Sequence, residues 1–155
     1  MTLYFLLKLA HIIGATVLFG TGAGIAFFML MAHRAGDPRL IAHTAGVVVV
    51  ADTVFTATSV VVQPITGGLL AYMTGVPLLH GWVAISLFLY VMIGVFWLPV
   101  VWIQLRLRDL ARLAVATDTA LPPAYYRLWR VWFACGFPAF AGVVGILALM
   151  VTKPG

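Results

Sequence analysis

The stretch TVFTATSVVVQPITGGLLAYMTGVPLLHGWVAISLFLYVMIGVFWLPVVWIQL, residues 53–105, runs for 53 residues between Asp52 and Arg106 without one Asp, Glu, Lys or Arg. A helix needs about 20 mainly apolar residues to cross a bilayer, so this run can cross twice, with Gly75-Val76-Pro77 as the turn between crossings. The rest of the chain follows the same rule. Of its 155 residues 64% are hydrophobic and 8% charged, against roughly 25% charged in a soluble domain. A soluble fold this poor in charge could not cover its surface.

Four apolar segments, at about 3–31, 46–73, 82–105 and 131–151, are long enough to span as helices. Helices satisfy their own backbone hydrogen bonds, which hydrocarbon demands. The expected fold is all-α: one transmembrane domain over 1–155, a four-helix bundle running up-down-up-down. Ala35-Gly36-Asp37-Pro38 reads as a turn with Asp37 capping the next helix, and Leu121-Pro122-Pro123 breaks the chain before the last span. Leu107, Leu110, Leu113 and Ala114 recur at helical spacing among Arg106, Arg108, Asp109 and Arg112. The third helix is therefore expected to continue past the membrane as an amphipathic extension. Pro99 and Pro138 predict kinks.

The net charge of +5 does not point to nucleic acid, because the basic residues flank apolar spans. Arg34 and Arg39 lie in the first connection, and Arg106, Arg108, Arg112, Arg127 and Arg130 in the third; only Lys8 and Lys153 lie on the other side. Positive residues collect on the cytoplasmic side, so both termini are expected in the periplasm and the chain in a bacterial inner membrane. Lys8 sits inside the first apolar run and no A-x-A-like site follows, so that run reads as a retained helix and not as a signal peptide. Trp102, Tyr125, Tyr126, Trp129 and Trp132 are expected as an interfacial aromatic belt. The single cysteine, Cys135, excludes an intrachain disulfide and a zinc–cysteine cluster.

Ionisable residues within spans are costly and are the first functional candidates. His11 falls about 12 Å into the first span at 1.5 Å per residue, and Lys8 shares its face. His11 is either a haem ligand or quinone partner, or a neutral imidazole satisfied by a Thr or a carbonyl on a neighbouring helix, with Lys8 snorkelling outward. His80, beside Gly81 and Trp82, opens the third helix on the same side. Two histidines on different helices would form a bis-His haem b site; otherwise His80 is interfacial. In the second helix Gln63-Pro64-Ile65-Thr66-Gly67-Gly68 interrupts the apolar pattern. There Pro64 frees a carbonyl one turn earlier, and the glycines admit a close neighbour. The candidate cofactor site is thus His11, His80, Lys8, Gln63, Thr66, Gly67 and Trp82, with His11 and His80 as iron ligands.

Asp52 is the only acid inside a span, so it must face the bundle or a cation, and Gln104, Arg106 and Arg130 are its candidate partners. His33 and His43 are expected to meet water or headgroups. Phe19-Gly20-Thr21-Gly22-Ala23-Gly24 lies mid-span without a preceding strand, so it is no dinucleotide loop. Its Gly20-x-x-x-Gly24 is expected at a close helix contact, with Gly142 and Gly145 serving likewise.

Lys8-Leu-Ala-His11, Leu18-Phe-Gly-Thr-Gly-Ala-Gly24, Ala32-His-Arg34, Ala51-Asp52, Gln63-Pro-Ile-Thr-Gly67, Gly81-Trp82, Trp97-Leu-Pro-Val-Val-Trp-Ile-Gln104, Arg106-Leu-Arg-Asp-Leu110 and Trp132-Phe-Ala-Cys-Gly-Phe-Pro138 are spread along the whole chain. With these motifs the chain resembles, nearly end to end, the bacterial integral membrane family called domain of unknown function 2269. That family name carries no activity. Lys8-x-x-His11 is also loosely similar to the first helix of the membrane protoporphyrinogen oxidase and copper-resistance D families; the likeness to the oxidase fades after that helix. It implies that a four-helix scaffold with a first-helix His can hold haem. Two function classes follow: a membrane redox protein binding haem b or quinone, or a non-enzymatic membrane subunit that packs on or helps assemble a partner, whether a homo-oligomer or another membrane subunit, and whose polar residues are structural.

Overall fold

The computed structural model describes residues 2–154 and is all-helical among them. Four helices, α1 (Leu3–Ala35), α2 (Pro38–Thr74), α3 (Gly81–Ala116) and α4 (Pro123–Thr152), are each long and apolar enough to cross a membrane. Alternating direction places both ends of the described chain at one end of the bundle, the terminal end. The seven arginines of the first and third connections gather at the other, the basic end.

Local chemistry sets the helix ends. α1 stops at Gly36, whose φ of 70° is left-handed and suits a residue without a side chain. Asp37 accepts the Arg39 amide at 2.8 Å and Pro38 starts α2, as the turn signal predicts. Gly75, φ 68°, closes α2. α3 has 36 residues, about 54 Å at 1.5 Å per residue, against a hydrocarbon core of about 30 Å. Its last turns therefore do project beyond the span. Leu107, Ala111 and Ala114 are their buried face, while Leu113, expected on it, is exposed.

Each helix packs on its chain neighbours, and α1 also touches α4. α3 and α4 pack closely, and two glycines explain how. A Cβ on Gly142 would fall 2.7 Å from Ile93, and one on Gly145 would fall 3.3 Å from Leu89. Gly20 and Gly22 have no neighbour within 4 Å of a built Cβ, and Gly24 meets only Phe28 of its own helix. The Gly20-x-x-x-Gly24 pattern therefore makes no close contact with another helix among the described residues.

The core lies at the basic end. Ile25, Met29 and Ala32 of α1, Ile41, Ala45 and Val48 of α2, Ile103, Leu107 and Ala111 of α3, and Tyr125, Trp129 and Trp132 of α4 form one buried cluster. The expected aromatic belt is accordingly divided: Trp102 and Tyr126 are exposed, but Tyr125, Trp129 and Trp132 are core. Their spacing, i, i+4 and i+7, marks one helix face, which charge counting alone overlooks.

α2 holds an irregularity where none was expected. Residues Asp52–Thr56 form a π-helical segment, whereas α2 runs unbroken through Pro64. Its first part packs on both α3 and α1, and the part after the π segment packs on α1.

Candidate functional site

Two polar groups lie within the membrane-spanning part of the bundle. The first joins α1 to α2 in the terminal half. His11 Nδ1 lies 2.8 Å from Thr66 Oγ1, and Gln63 Nε2 donates to the His11 backbone carbonyl at 2.8 Å. Thr66 Oγ1 also lies 2.8 Å from the Val62 carbonyl and 3.2 Å from that of Gln63. A hydroxyl has one proton and accepts with its lone pairs. The Thr66 proton goes back to its own helix, the usual arrangement for a Thr inside a span, so Thr66 accepts from His11 Nδ1–H. This network assigns the tautomer in which Nε2 keeps its lone pair.

Small residues make this approach possible. A Cβ on Gly67 would stand 3.1 Å from His11 Cε1, and one on Gly14 would stand 2.5 Å from Gln63 Nε2. Gly67 was legible as a close-approach glycine. Gly14 was not singled out, although it lies three residues after His11 on the same face.

His80 stands apart from this group. It is the exposed residue preceding α3 and makes no side-chain cap there. α3 begins at Gly81 and leaves His80 outside the helix, so the rigid element expected to carry the second histidine of a bis-His pair starts one residue after it. Trp82 is half-buried and its carbonyl accepts the Ser86 hydroxyl. Lys8 is exposed, with Nζ 5.9 Å from the Tyr4 ring centroid.

The second group lies near mid-span. Asp52 is 7% exposed and accepts from Trp97 Nε1 at 3.5 Å. It faces the bundle as expected, but with a different partner. Gln104 is buried and accepts from Trp132 Nε1 at 3.2 Å. Arg106 stacks over Trp102, 5.6 Å from its centroid, and Arg130 turns to a groove between α3 and α4. Trp97 and Gln104 are seven residues apart on one face of α3, about 10 Å along its axis. Sequence depth thus placed the partner two turns too far toward the basic end. Beside Asp52, the Thr56 hydroxyl is buried with no hydrogen-bond partner among the described residues.

One carbonyl ties the halves together. Pro64 has no amide to give Val60, four residues earlier, and the Tyr90 hydroxyl of α3 donates to the Val60 carbonyl instead. The freed carbonyl was expected; Tyr90 as its donor was not.

At the basic end His33 stacks on Trp129, centroids 4.1 Å apart and planes at 12°, and its Nδ1 lies 3.3 Å from Tyr125 Oη. It was expected among water or headgroups and is instead part of an aromatic stack. His43 is exposed and lines a shallow groove with Arg112. Among the described residues no three His, Cys, Asp or Glu side chains converge as a metal cluster.

The four spans and their apolar composition agree with a family model that describes a predicted integral membrane protein and matches residues 5–154. The chain belongs to that family, DUF2269. No curated protein and no solved structure matches it. Membership in DUF2269 covers nearly the whole chain, so both polar groups fall within the family's own span.

Proposed function

We propose that this member of DUF2269 is a redox protein of the bacterial inner membrane that holds haem b through His11. One observation carries the reading: His11 Nδ1 lies 2.8 Å from a Thr66 hydroxyl that also lies 2.8 Å from the Val62 carbonyl; with Thr66 donating to Val62 it accepts from Nδ1–H, and Nε2 presents a lone pair from a rigid helix. A metal-ligating His characteristically donates its other ring N–H to a neighbour that fixes the tautomer, and Thr66 has that role here. Gly67 leaves the space in which the ring is held. The residues present fit one axial ligand; His80, exposed and outside α3, is not counted as a second. Bound haem would supply one-electron chemistry. The same lone pair would accept a hydrogen bond from a quinol, the partner class that fits a membrane-embedded imidazole.

A second reading has its own support. Gln63 binds the His11 backbone, not its ring, which is what a purely structural clamp between α1 and α2 requires. The chain would then be a non-enzymatic membrane subunit. Visible spectra of the purified protein, oxidised and reduced, separate the two. The haem reading expects a Soret band that is lost in His11→Ala, shifted in Thr66→Val, and kept in His33→Ala, His43→Ala and His80→Ala. A colourless wild-type protein from haem-replete cells would leave the structural reading standing.

A further inference from the structure

We propose that the groove between α3 and α4 at the basic end binds an anionic phospholipid. The groove, about 590 Å³, is lined by Phe96 of α3 and by Arg127, Arg130, Ala134, Cys135 and Pro138 of α4. On α4 these positions recur at helical spacing, so they form one stripe. The stripe begins with two cations and continues apolar toward mid-span. From Arg130 to Pro138 it extends about 12 Å at 1.5 Å per residue.

The charges set the occupant. Neither arginine has an acidic partner: among the described residues the one ion pair is Arg108–Asp109, and the groove lining contains no Asp or Glu. A guanidinium at the edge of hydrocarbon needs a counter-charge at its own depth. A lipid phosphate lies there and matches the planar donor fork of Arg. The apolar continuation along Ala134, Pro138 and Phe96 then receives the acyl chain. A zwitterionic headgroup would bring an ammonium, a third cation, into a lining that already holds two. An anionic headgroup brings none, as expected for basic pockets between transmembrane helices.

The chain carries its own reporter, because Cys135 is its only cysteine and lies in this groove. The full-length protein is titrated with palmitoyl-oleoyl phosphatidylglycerol or the matching phosphatidylcholine. Retained lipid is read by native mass spectrometry, and Cys135 by its rate of maleimide labelling. Phosphatidylglycerol should be retained and should slow labelling; phosphatidylcholine should do neither. Arg127→Gln/Arg130→Gln should weaken phosphatidylglycerol binding by about tenfold or more, the loss of two charge-assisted contacts. Arg34→Gln/Arg39→Gln, with the same change in charge outside the groove, should keep both effects. Equal weakening in the two double variants would overturn the proposal. So would labelling indifferent to phosphatidylglycerol, shielding by inorganic phosphate alone, or shielding in a dimer regardless of lipid. If the Arg127/Arg130 variant does not fold, the wild-type labelling contrast between the two lipids decides alone.

Discussion

Tyr90 of α3 donates its hydroxyl to the carbonyl of Val60, the carbonyl that Pro64 leaves without its helical amide. The bond matters because the later part of α2 packs on α1, and Tyr90 reaches it from across the bundle. Pro64 and Tyr90 are thereby coupled through one carbonyl. Tyr90→Phe should destabilise the protein by about 1 kcal/mol, the scale of an interhelical hydrogen bond in a membrane. Pro64→Ala restores the Val60 partner, so Tyr90→Phe in that background should cost less than half as much. Unfolding titrations of the four proteins complete the cycle; an equal cost in both backgrounds would refute the coupling.

Gly14 and Gln63 should behave as one unit. A methyl at Gly14 would displace the Gln63 amide, the free end of a flexible side chain, and break its bond to the His11 carbonyl. Gly14→Ala and Gln63→Leu should each cost about 1 kcal/mol, and the double variant little more than either alone. Additive losses in the same unfolding assay would show that the glycine matters for another reason.

At Asp52 the two obvious replacements should differ. Asn keeps an acceptor for Trp97 Nε1, whereas Leu strands that half-buried donor in a membrane-spanning helix. Leaving a buried group unpaired costs about 1–3 kcal/mol, so Asp52→Leu should lose that much more stability than Asp52→Asn. Equal midpoints for the two variants would deny the carboxylate a hydrogen-bonding role.

Seven arginines mark the basic end, so that end should face the cytoplasm and both termini the periplasm. A periplasm-active phosphatase fused to the C-terminus should be active in intact cells, and one fused after Arg112 inactive. The reverse pattern would invert the molecule and bring the His11 group to the cytoplasmic half.

Much of this architecture was open to reading, and the failures have physical causes. Span number, helix direction and the Asp37 cap follow from local chemistry that depends on no tertiary partner. His11, Gln63, Thr66 and Gly67 could be grouped because a polar run opposite a buried His has few other ways to be satisfied. Partners are harder to read, since depth along a helix is uncertain by a turn or two; Asp52 met Trp97 and not Gln104 for that reason. His33 was misplaced because a His beside Arg34 resembles a headgroup residue, and only tertiary packing brings Trp129 against it. The π segment was invisible: from Ile41 through Ala45, Val48 and Asp52 to Thr66, the spacing reads as one unbroken helical face.

That segment makes α2 sensitive to its hydrogen-bond pattern in a way its composition does not suggest. A π turn takes up one residue more than an α turn for nearly the same rotation. Deleting Thr53 would therefore allow a regular helix, with every apolar side chain retained and Gln63 and Thr66 still turned to His11. Regularising the segment without a deletion would instead advance everything after it by about 100°, the rotation of one α-helical residue, and carry Gln63 and Thr66 away from His11. The extra residue of the π segment is thus what lets a helix of this length reach its imidazole.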